Sequence, residues 1–258
     1  MLSARMLGAL LLGPVVLFGL WKGGYVLPAL ALAASCIAIR ELDLMLARKE
    51  LYITKPVAYG AAILIMTASY IGRFDLVSGA VAVGVLAALL GPVLFAGKLR
   101  QTDVAATIYC IMYVPFTFAH VVLLRNLGVW PAAVAVLATW ACDVAAYFAG
   151  KSFGRHKMAP SISPNKSWEG FWAGIAGSVA MSLGLSRFLG TTPPEAFALG
   201  VVLSLAAQAG DLAESSIKRF SAVKDAGTLI PGHGGVLDRF DSLMFVAPVA
   251  YYMLLMFR

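Results

Sequence analysis

Apolar stretches recur along the whole chain at the length that a membrane-spanning helix requires. Such a helix needs about 20 mostly apolar residues to cross the hydrocarbon core, within a range of about 17 to 25. Nine stretches approach this length, and short polar segments separate them. We therefore predict an all-α, polytopic integral membrane protein with about nine transmembrane helices, at 4–21, 24–40, 56–72, 76–97, 104–124, 128–149, 170–190, 195–217 and 242–257.

Local signals support several of these boundaries. The third and fourth spans form a predicted hairpin, because only a short turn, residues 72–75, joins them. Pro193 and Pro194 precede the eighth span, and proline is favoured at the first helical positions. The N-terminus resembles a signal sequence, but no cleavage pattern follows it, so we expect an uncleaved first helix.

The composition agrees with a single continuous membrane domain. Hydrophobic residues make up 60% of the 258 residues and charged residues only 13%, whereas soluble chains average about 45–50% and about 25%. We expect the first five spans to carry almost no buried charge, so we interpret 1–127 as N-terminal scaffold helices. We expect 128–258 to form the catalytic part, with loops 151–169 and 218–241.

The basic residues predict the orientation of the chain in the membrane. Cytoplasmic loops of membrane proteins are enriched in lysine and arginine. With the N-terminus in the cytoplasm, 15 of the 20 basic residues fall on the inner side. We therefore predict a cytoplasmic N-terminus and an outer C-terminus, with both polar loops in the cytoplasm. We therefore attribute the net charge of +7 to cytoplasmic loops that face anionic lipid headgroups. Nucleic-acid binding is not indicated, because the sequence has no basic motif with interleaved aromatic residues.

Acidic residues inside the predicted spans are candidates for chemistry. Asp143 lies in the sixth span, and Asp211 and Glu214 lie in the eighth. A charge at the bilayer centre costs at least about 2.5–3.5 kcal/mol, so such residues usually face a cavity or a partner. Asp211, Glu214, Ser215 and Lys218 are spaced to share one helix face. The alternative is a structural pair, in which a lysine neutralises Asp211 or Glu214.

Two further carboxylates, Asp238 and Asp241, precede the last span. Their spacing places both on one face if the segment is helical. Together with the acids of the eighth span they form an oxygen-rich set, which suits a hard cation such as Mg²⁺. Alternatively, each is a helix-start charge that the helix dipole stabilises.

A glycine-rich segment, GTLIPGHGG, lies between these two groups of acids. Its backbone N–H groups are suited to phosphate oxygens, and Lys218, Arg219 and Lys224 precede it. It is not a Walker A loop, because His233 replaces the lysine. His233 fits either a general acid/base or phosphate donor, or a loop residue that only forms hydrogen bonds. Basic residues around an acidic cluster are typical of phosphoryl chemistry, which depends on positioning and charge neutralisation.

The other polar loop, 151–169, carries basic residues followed by the sequence SPNKSWEG. Lys166 and Ser167 are candidates for binding a phosphate or a lipid headgroup. The alternative is a solvated loop that faces anionic lipids. Gly170 and Gly174, which follow it, have the GxxxG spacing that permits close helix contact.

The stretch from Ser215 to Asp241, here called the signature segment, resembles the signature of the phosphatidate cytidylyltransferases, or CDP-diacylglycerol synthases. It reads S-x-I-K-R, then K-D-x-G, then L-I-P-G-H-G-G-V-x-D-R-F-D. SPNKSWEG and Gly210-Asp211-Leu212 are similar to further blocks of that family. Val144 departs from it, since a hydroxyl residue often follows the aspartate there. The resemblance covers about 140–242, and the N-terminal half agrees in hydropathy and span count.

The resemblance implies transfer of CMP from CTP to phosphatidic acid, giving CDP-diacylglycerol and pyrophosphate. It implies Mg²⁺ as cofactor with room for a second cation, membrane lipids as surroundings, a homodimer, and the bacterial cytoplasmic membrane as location. The implied catalytic residues are Asp211, Lys218, Arg219, Lys224, Asp225, His233, Asp238 and Arg239. The implied substrate-binding residues are Asp143, Tyr147, Ser163, Lys166, Ser167, Ser215, Gly234 and Gly235, and the metal ligands are Asp143, Asp211, Asp238 and Asp241.

Two other functions are compatible with parts of the sequence. A phosphotransferase acting on CDP-alcohols or polyprenyl phosphates needs a D-G-x2-A-R or DDxxD-like pattern, and the sequence has neither. A transporter could use Asp143 and Asp211, but transport does not require a long basic and glycine-rich cytosolic loop. The sequence also lacks the visible internal repeat that many transporters have.

Overall fold

The computed structural model describes residues 13–94, 99–227 and 234–258, and these are mostly helical. The helices in the described ranges are α1 (13–22), α2 (Val26–Ala47), α3 (Lys55–Ile71), α4 (Phe74–Leu94), α5 (Gln101–Tyr113), α6 (Pro115–Leu127), α7 (Val129–Phe153), α8 (Trp168–Leu189), α9 (Pro193–Phe220) and α10 (Leu237–Met256). Two short strands, β1 (Lys157–Ala159) and β2 (Ser163–Ser167), lie between α7 and α8.

Five helical segments among the described residues are long and apolar enough to cross a membrane. They are α4, the consecutive helices α5 and α6 taken together, α7, α9 and α10. The all-α membrane class is therefore confirmed. The count of nine spans and the orientation stay predictions, and the first predicted span, 4–21, lies partly outside the described residues.

The helix boundaries agree with most of the local signals. α9 begins at Pro193, as its two prolines predict. Gly72 ends α3 in the left-handed conformation (φ 80°) and turns the chain toward α4. The predicted span 104–124 differs, because it is divided into α5 and α6 at Val114. Pro115 provides no N–H, and its ring disfavours the helical conformation of the residue before it.

The loop 151–169 contains an antiparallel β-hairpin that the sequence analysis did not predict. Lys157 pairs with Ser167, and Ala159 pairs with Ser163. At its base, the Trp168 N–H donates to the His156 carbonyl at 2.9 Å. His156 Nδ1 also lies 2.7 Å from Glu169 Oε1. Hydrogen bonds from the Glu169 backbone N–H and from His156 lower the pKa of the Glu169 carboxyl to about 2, so this closing carboxylate is charged at neutral pH.

The chain divides into two compact units. Unit 1 comprises Met1–Asn126 and Phe220–Arg239, and unit 2 comprises Leu127–Arg219 and Phe240–Arg258. The sequence analysis assigned the whole of 218–241 to the C-terminal part. The structure groups 220–239 with the N-terminal helices, because contacts with α2 hold that segment in unit 1.

Three buried acids of unit 1 lie just outside the predicted spans, and the sequence analysis did not identify them. Glu41 and Asp43 on α2 and Asp103 on α5 are all buried. Asp43 accepts a hydrogen bond from the Ile53 N–H at 3.2 Å, and Asp103 accepts one from the Tyr52 N–H at 3.0 Å. Each of the three accepts a hydrogen bond from a backbone N–H outside its own helix, so hydropathy alone does not reveal its role.

Glycines allow α7 and α8 of unit 2 to pack closely. A Cβ added at Gly170 would lie 2.8 Å from the Ala146 carbonyl, and one at Gly177 would lie 2.7 Å from the Ala141 carbonyl. At Gly174 the nearest atom would be Cys142 Sγ, at 2.9 Å. The close helix contact predicted from the GxxxG spacing is thus present within the chain.

Candidate active site

Unit 2 contains a cavity of about 650 Å³ with several charged side chains in its lining, here called the site cavity. Its volume lies in the range of about 300–1,000 Å³ that small-molecule sites occupy. It is formed by α7, the hairpin, α8 and α9. The lining includes six of the sequence-predicted site residues together with two further lysines and a glutamine, namely Asp143, Tyr147, Ser163, Lys166, Ser167 and Asp211 with Lys151, Lys157 and Gln208.

An ion pair between Lys166 and Asp211 lies in the wall of this cavity. Lys166 Nζ is 2.9 Å from Asp211 Oδ2, and the two side chains are 19% and 39% exposed. The same ammonium donates to the Gln208 carbonyl at 3.3 Å. Strand β2 therefore brings a cation from the hairpin to the carboxylate of α9.

Ser167 has a local structural role in addition to lining the cavity. Its hydroxyl caps α8 by accepting a hydrogen bond from the Gly170 N–H at 3.2 Å, which is the preferred role of serine at a helix start. A Cβ at Gly154 would lie 2.7 Å from this hydroxyl. Ser167 thus fixes the point where the hairpin enters α8, beside Lys166.

The predicted polar face of α9 is present. Ser215 Oγ donates to Asp211 Oδ1 at 3.3 Å. Lys218 Nζ forms an ion pair with Glu214, whose side chain is fully buried. This is the structural pairing that the sequence analysis kept as the alternative for Glu214. The next basic residue, Arg219, donates from Nε to the Ile162 carbonyl of the hairpin turn at 3.1 Å.

Asp241, in the first turns of α10, lies near the acids of α7 and α9. The charges of Asp143 and Asp211 are close enough to interact with that of Asp241, as is that of Lys218. Gly210 makes this approach possible, because a Cβ there would lie only 2.6 Å from the Asp241 carbonyl oxygen. Unit 2 thus collects three carboxylates.

The remaining predicted residues belong to unit 1 or lie outside the described ranges. Asp238 Oδ2 accepts hydrogen bonds from the Ala226 and Gly235 N–H groups, both at 2.8 Å. Gly234 adopts φ 79° beside it.

Lys224 and Asp225 line a second cavity, of about 750 Å³, together with α2. Arg239 is exposed in the first turn of α10, and His233 falls outside the described residues, so its role stays a prediction.

Comparison with known proteins decides the family. The model of the cytidylyltransferase family matches residues 3–257. The chain belongs to this family. It is 36% identical over 259 residues to the phosphatidate cytidylyltransferases of Staphylococcus epidermidis and Staphylococcus aureus, covering 98% of this chain and 99% of theirs. It is 34% identical over 258 residues to that of Staphylococcus saprophyticus.

Membership of the cytidylyltransferase family confirms the resemblance and the predicted enzyme class, a nucleotidyltransferase. It also extends the resemblance, which the motifs carried only over 140–242, to almost the whole chain. The N-terminal helices are therefore part of the family's structure, and their buried acids become candidates for a role in it.

The Mg²⁺ that the resemblance implies would need oxygen ligands from the acidic side chains of the site. Within the described ranges, no three histidine, cysteine or acidic side chains already form a group that could hold a metal ion. Mg²⁺ usually takes only one or two carboxylates, with water and substrate phosphates as its other ligands. Asp143 and Asp211, which both line the site cavity, offer carboxylate oxygens of this kind.

The sequence analysis did not identify Glu41, a buried residue that contacts the signature segment. Glu41 accepts hydrogen bonds from the Val236 and Leu237 N–H groups at 2.9 and 2.8 Å. It therefore contacts the signature segment from a position 195 residues earlier in the chain. An acid within an otherwise apolar stretch was the only available signal, and Asp43 gives the same signal without this contact.

Proposed function

We propose that the chain is a phosphatidate cytidylyltransferase of the bacterial cytoplasmic membrane. It would transfer CMP from CTP to phosphatidic acid, giving CDP-diacylglycerol and pyrophosphate. The observation that carries this proposal is the site cavity, where Asp143 and the Lys166–Asp211 pair meet two further lysines. The names of the Staphylococcus relatives support the same reaction.

The reaction needs no nucleophile from the protein. A phosphatidate oxygen attacks the α-phosphorus of CTP, one P–O bond forms, and the bond to the bridging oxygen of the β-phosphate breaks. Pyrophosphate leaves with that electron pair. Phosphate monoesters carry about −1.5 to −2 charges at pH 7, so the attacking oxygen is already anionic and the chief obstacle is repulsion between two phosphates.

Cationic side chains reduce that repulsion. In unit 2, Lys166 is already held at the cavity by Asp211, and Lys218 and Arg219 follow on α9. In unit 1, Lys224 and Arg239 flank the glycine-rich segment. Fixed cations stabilise the charge that develops on transferring phosphoryl groups because they need no reorganisation during the reaction. We assign the triphosphate of CTP to the signature segment.

The acids fit a supporting role for Mg²⁺. Asp143, Asp211 and Asp241 are the proposed ligands in unit 2, and Asp238 is a further candidate in unit 1. When bound, the cation would neutralise phosphate charge. Ser215 orients Asp211 through its hydrogen bond, and Lys166 offsets the carboxylate charge until substrate arrives.

The test is product formation by the purified protein. Labelled CTP, dioleoyl phosphatidate and Mg²⁺ should yield labelled CDP-diacylglycerol and pyrophosphate, and omission of phosphatidate should abolish the lipid product. A known phosphatidate cytidylyltransferase in the same detergent serves as control. An inactive chain beside an active control would refute the proposal.

The assembly and location belong to the same proposal. Phosphatidic acid would enter laterally from the membrane and CTP from the cytoplasm, with the active site on the cytoplasmic face. We propose a homodimer as the functional form. Mass measurement of the protein in detergent or nanodiscs tests that assignment, and a monomeric active enzyme would contradict it.

A further inference from the structure

Glu41 is a buried carboxylate with both oxygens engaged by the backbone at the start of α10. Oε1 accepts from the Val236 N–H at 2.9 Å and Oε2 accepts from the Leu237 N–H at 2.8 Å. The residue is only 5% exposed. The first N–H groups of a helix have no partner within that helix, and its dipole favours a negative charge there. Glu41 meets both needs from a distant helix, α2.

Two glycines of the signature segment make room for this carboxylate. A Cβ at Gly227 would lie 2.5 Å from Glu41 Oε1, and one at Gly235 would lie 2.4 Å from both carboxylate oxygens. Glu41 therefore lies directly against the backbone at both of these positions. They are eight residues apart in sequence, so one side chain fixes both flanks of the glycine-rich segment.

Asp238 engages neighbouring amides of the same segment. It accepts hydrogen bonds from the Ala226 and Gly235 N–H groups, whereas Glu41 takes those of Val236 and Leu237. Four backbone donors are thus divided between two carboxylates, one within the signature and one outside it. Charge-assisted bonds of this type are roughly twice as strong as neutral ones.

We propose that Glu41 is a positioning residue for cytidylyl transfer, which sets the backbone of the signature segment so that its charged side chains meet the CTP phosphates. Lys224 and Asp225 line the second cavity together with Glu41, so a shift of this backbone moves both. Glu41 acts through these residues and does not itself touch substrate. The inference rests on the proposed function.

The first test is Glu41→Gln, which keeps the size of the side chain but turns one acceptor into an amide donor facing a backbone N–H. We expect the KM for CTP and the Kd for CTP alone to rise about tenfold, because a displaced segment would lose about one charged contact with the triphosphate. The KM for phosphatidate should change less than about twofold. A role in stability alone would lower the active fraction and leave both KM values unchanged.

Asp43→Asn is the matched control. Asp43 lies two positions later on α2, is also buried, accepts from the Ile53 N–H at 3.2 Å and pairs with Lys55 at 3.1 Å. Its substitution removes comparable interactions away from the signature segment. We expect an unchanged KM for CTP. Hydrogen exchange should accelerate at 235–238 only in Glu41→Gln and at Ile53 only in Asp43→Asn.

Glu41→Asp provides the conservative variant, because it keeps the charge but shortens the side chain by one methylene. It should give a KM for CTP between those of the wild type and Glu41→Gln. If Glu41→Gln cannot be purified, Gly227→Ala tests the same contact by displacing the carboxylate, with the same expected rise in the Kd for CTP.

Wild-type CTP affinity together with wild-type exchange at 235–238 in Glu41→Gln would overturn the inference. Failure of the proposed function gives a different result, since the wild type would then form no CDP-diacylglycerol. CTP binding measured without phosphatidate still tests Glu41 in that case.

Discussion

Asp211 connects most of the residues proposed for catalysis in unit 2. It pairs with Lys166, accepts a hydrogen bond from Ser215, and its charge interacts with those of Asp143 and Asp241. It is also more than a third exposed in the site cavity. Its carboxylate is therefore available to a ligand, and its replacement should cost little stability.

We predict that Asp211→Asn abolishes turnover while the thermal unfolding midpoint of the detergent-purified protein stays within a few degrees of the wild type. Asp75→Asn is the control, because Asp75 is an exposed carboxylate paired with Arg73 and should keep full activity. Labelled CDP-diacylglycerol formation measures the effect. Wild-type turnover in Asp211→Asn would remove this residue from the proposed metal site.

The Glu214–Lys218 pair combines a structural and a proposed catalytic residue. Glu214 is 0% exposed and Lys218 is 13% exposed. Removing one partner of a buried ion pair costs about 3–5 kcal/mol, whereas replacing both with apolar residues is often neutral. We predict that Lys218→Met is strongly destabilised and that Glu214→Leu/Lys218→Met regains the wild-type unfolding midpoint.

The double variant should nevertheless remain inactive, because Lys218 is proposed to screen phosphate charge. Thermal denaturation followed by the turnover assay separates the two effects. An active double variant would leave Lys218 with the structural role alone. Loss of activity in Glu214→Gln at an unchanged midpoint would instead place Glu214 among the catalytic groups.

Contacts between residues close in sequence were predictable, and those between distant residues were not. Helical spacing predicted that Asp211, Ser215 and Lys218 share a face, and α9 confirms it. No such rule links Glu41 to Val236, since the contact depends on how α2 packs against the segment at the start of α10. The sequence analysis kept a lysine partner of Asp211 as an alternative, but for the same reason it could not identify that lysine as Lys166.

At the scale of elements, proline and glycine signals placed helix ends well, but short strands carried no clear signal. β2 reads SPNKS, which has no alternation of apolar and polar residues. It is a strand because it pairs with β1, and the contact between His156 and Glu169 closes the base of that hairpin. Hydropathy likewise joined α5 to α6, because both sides of Val114 are apolar.

The packing of α8 against α9 provides a prediction at this scale. A Cβ at Gly200 would lie 2.5 Å from the Val179 Cα, whereas one at Gly184 would meet nothing within 4 Å. Backbone cannot move aside as a side chain can, so Gly200→Ala should cost about 1–3 kcal/mol. Gly184→Ala should be neutral or stabilising by up to about 1 kcal/mol.

The thermal unfolding midpoints of the two variants measure this difference. Both replace a helical glycine with alanine, so helix propensity changes equally in each. A Gly200→Ala protein as stable as Gly184→Ala would mean that the two helices separate without cost, contrary to the observed contact.

For the whole molecule, the charges of the loops predict its orientation in the membrane. Hydropathy indicated the number of apolar stretches, and 15 of the 20 basic residues fall on one side of the predicted nine-span arrangement. The positive-inside rule relates loop charge to the cytoplasm. It therefore predicts that the hairpin between α7 and α8 is cytoplasmic and that the C-terminus lies outside.

Single cysteines at these two places test the orientation. Ser161 in the hairpin turn and the C-terminal Arg258 are both exposed. With Cys36 replaced by serine, the two remaining cysteines, Cys110 and Cys142, are buried. A membrane-impermeant maleimide should label Ser161→Cys only in inverted vesicles and Arg258→Cys only in intact cells. Labelling of both from the same side would require an even number of spans after the hairpin and would refute the arrangement in which α8, α9 and α10 each cross once.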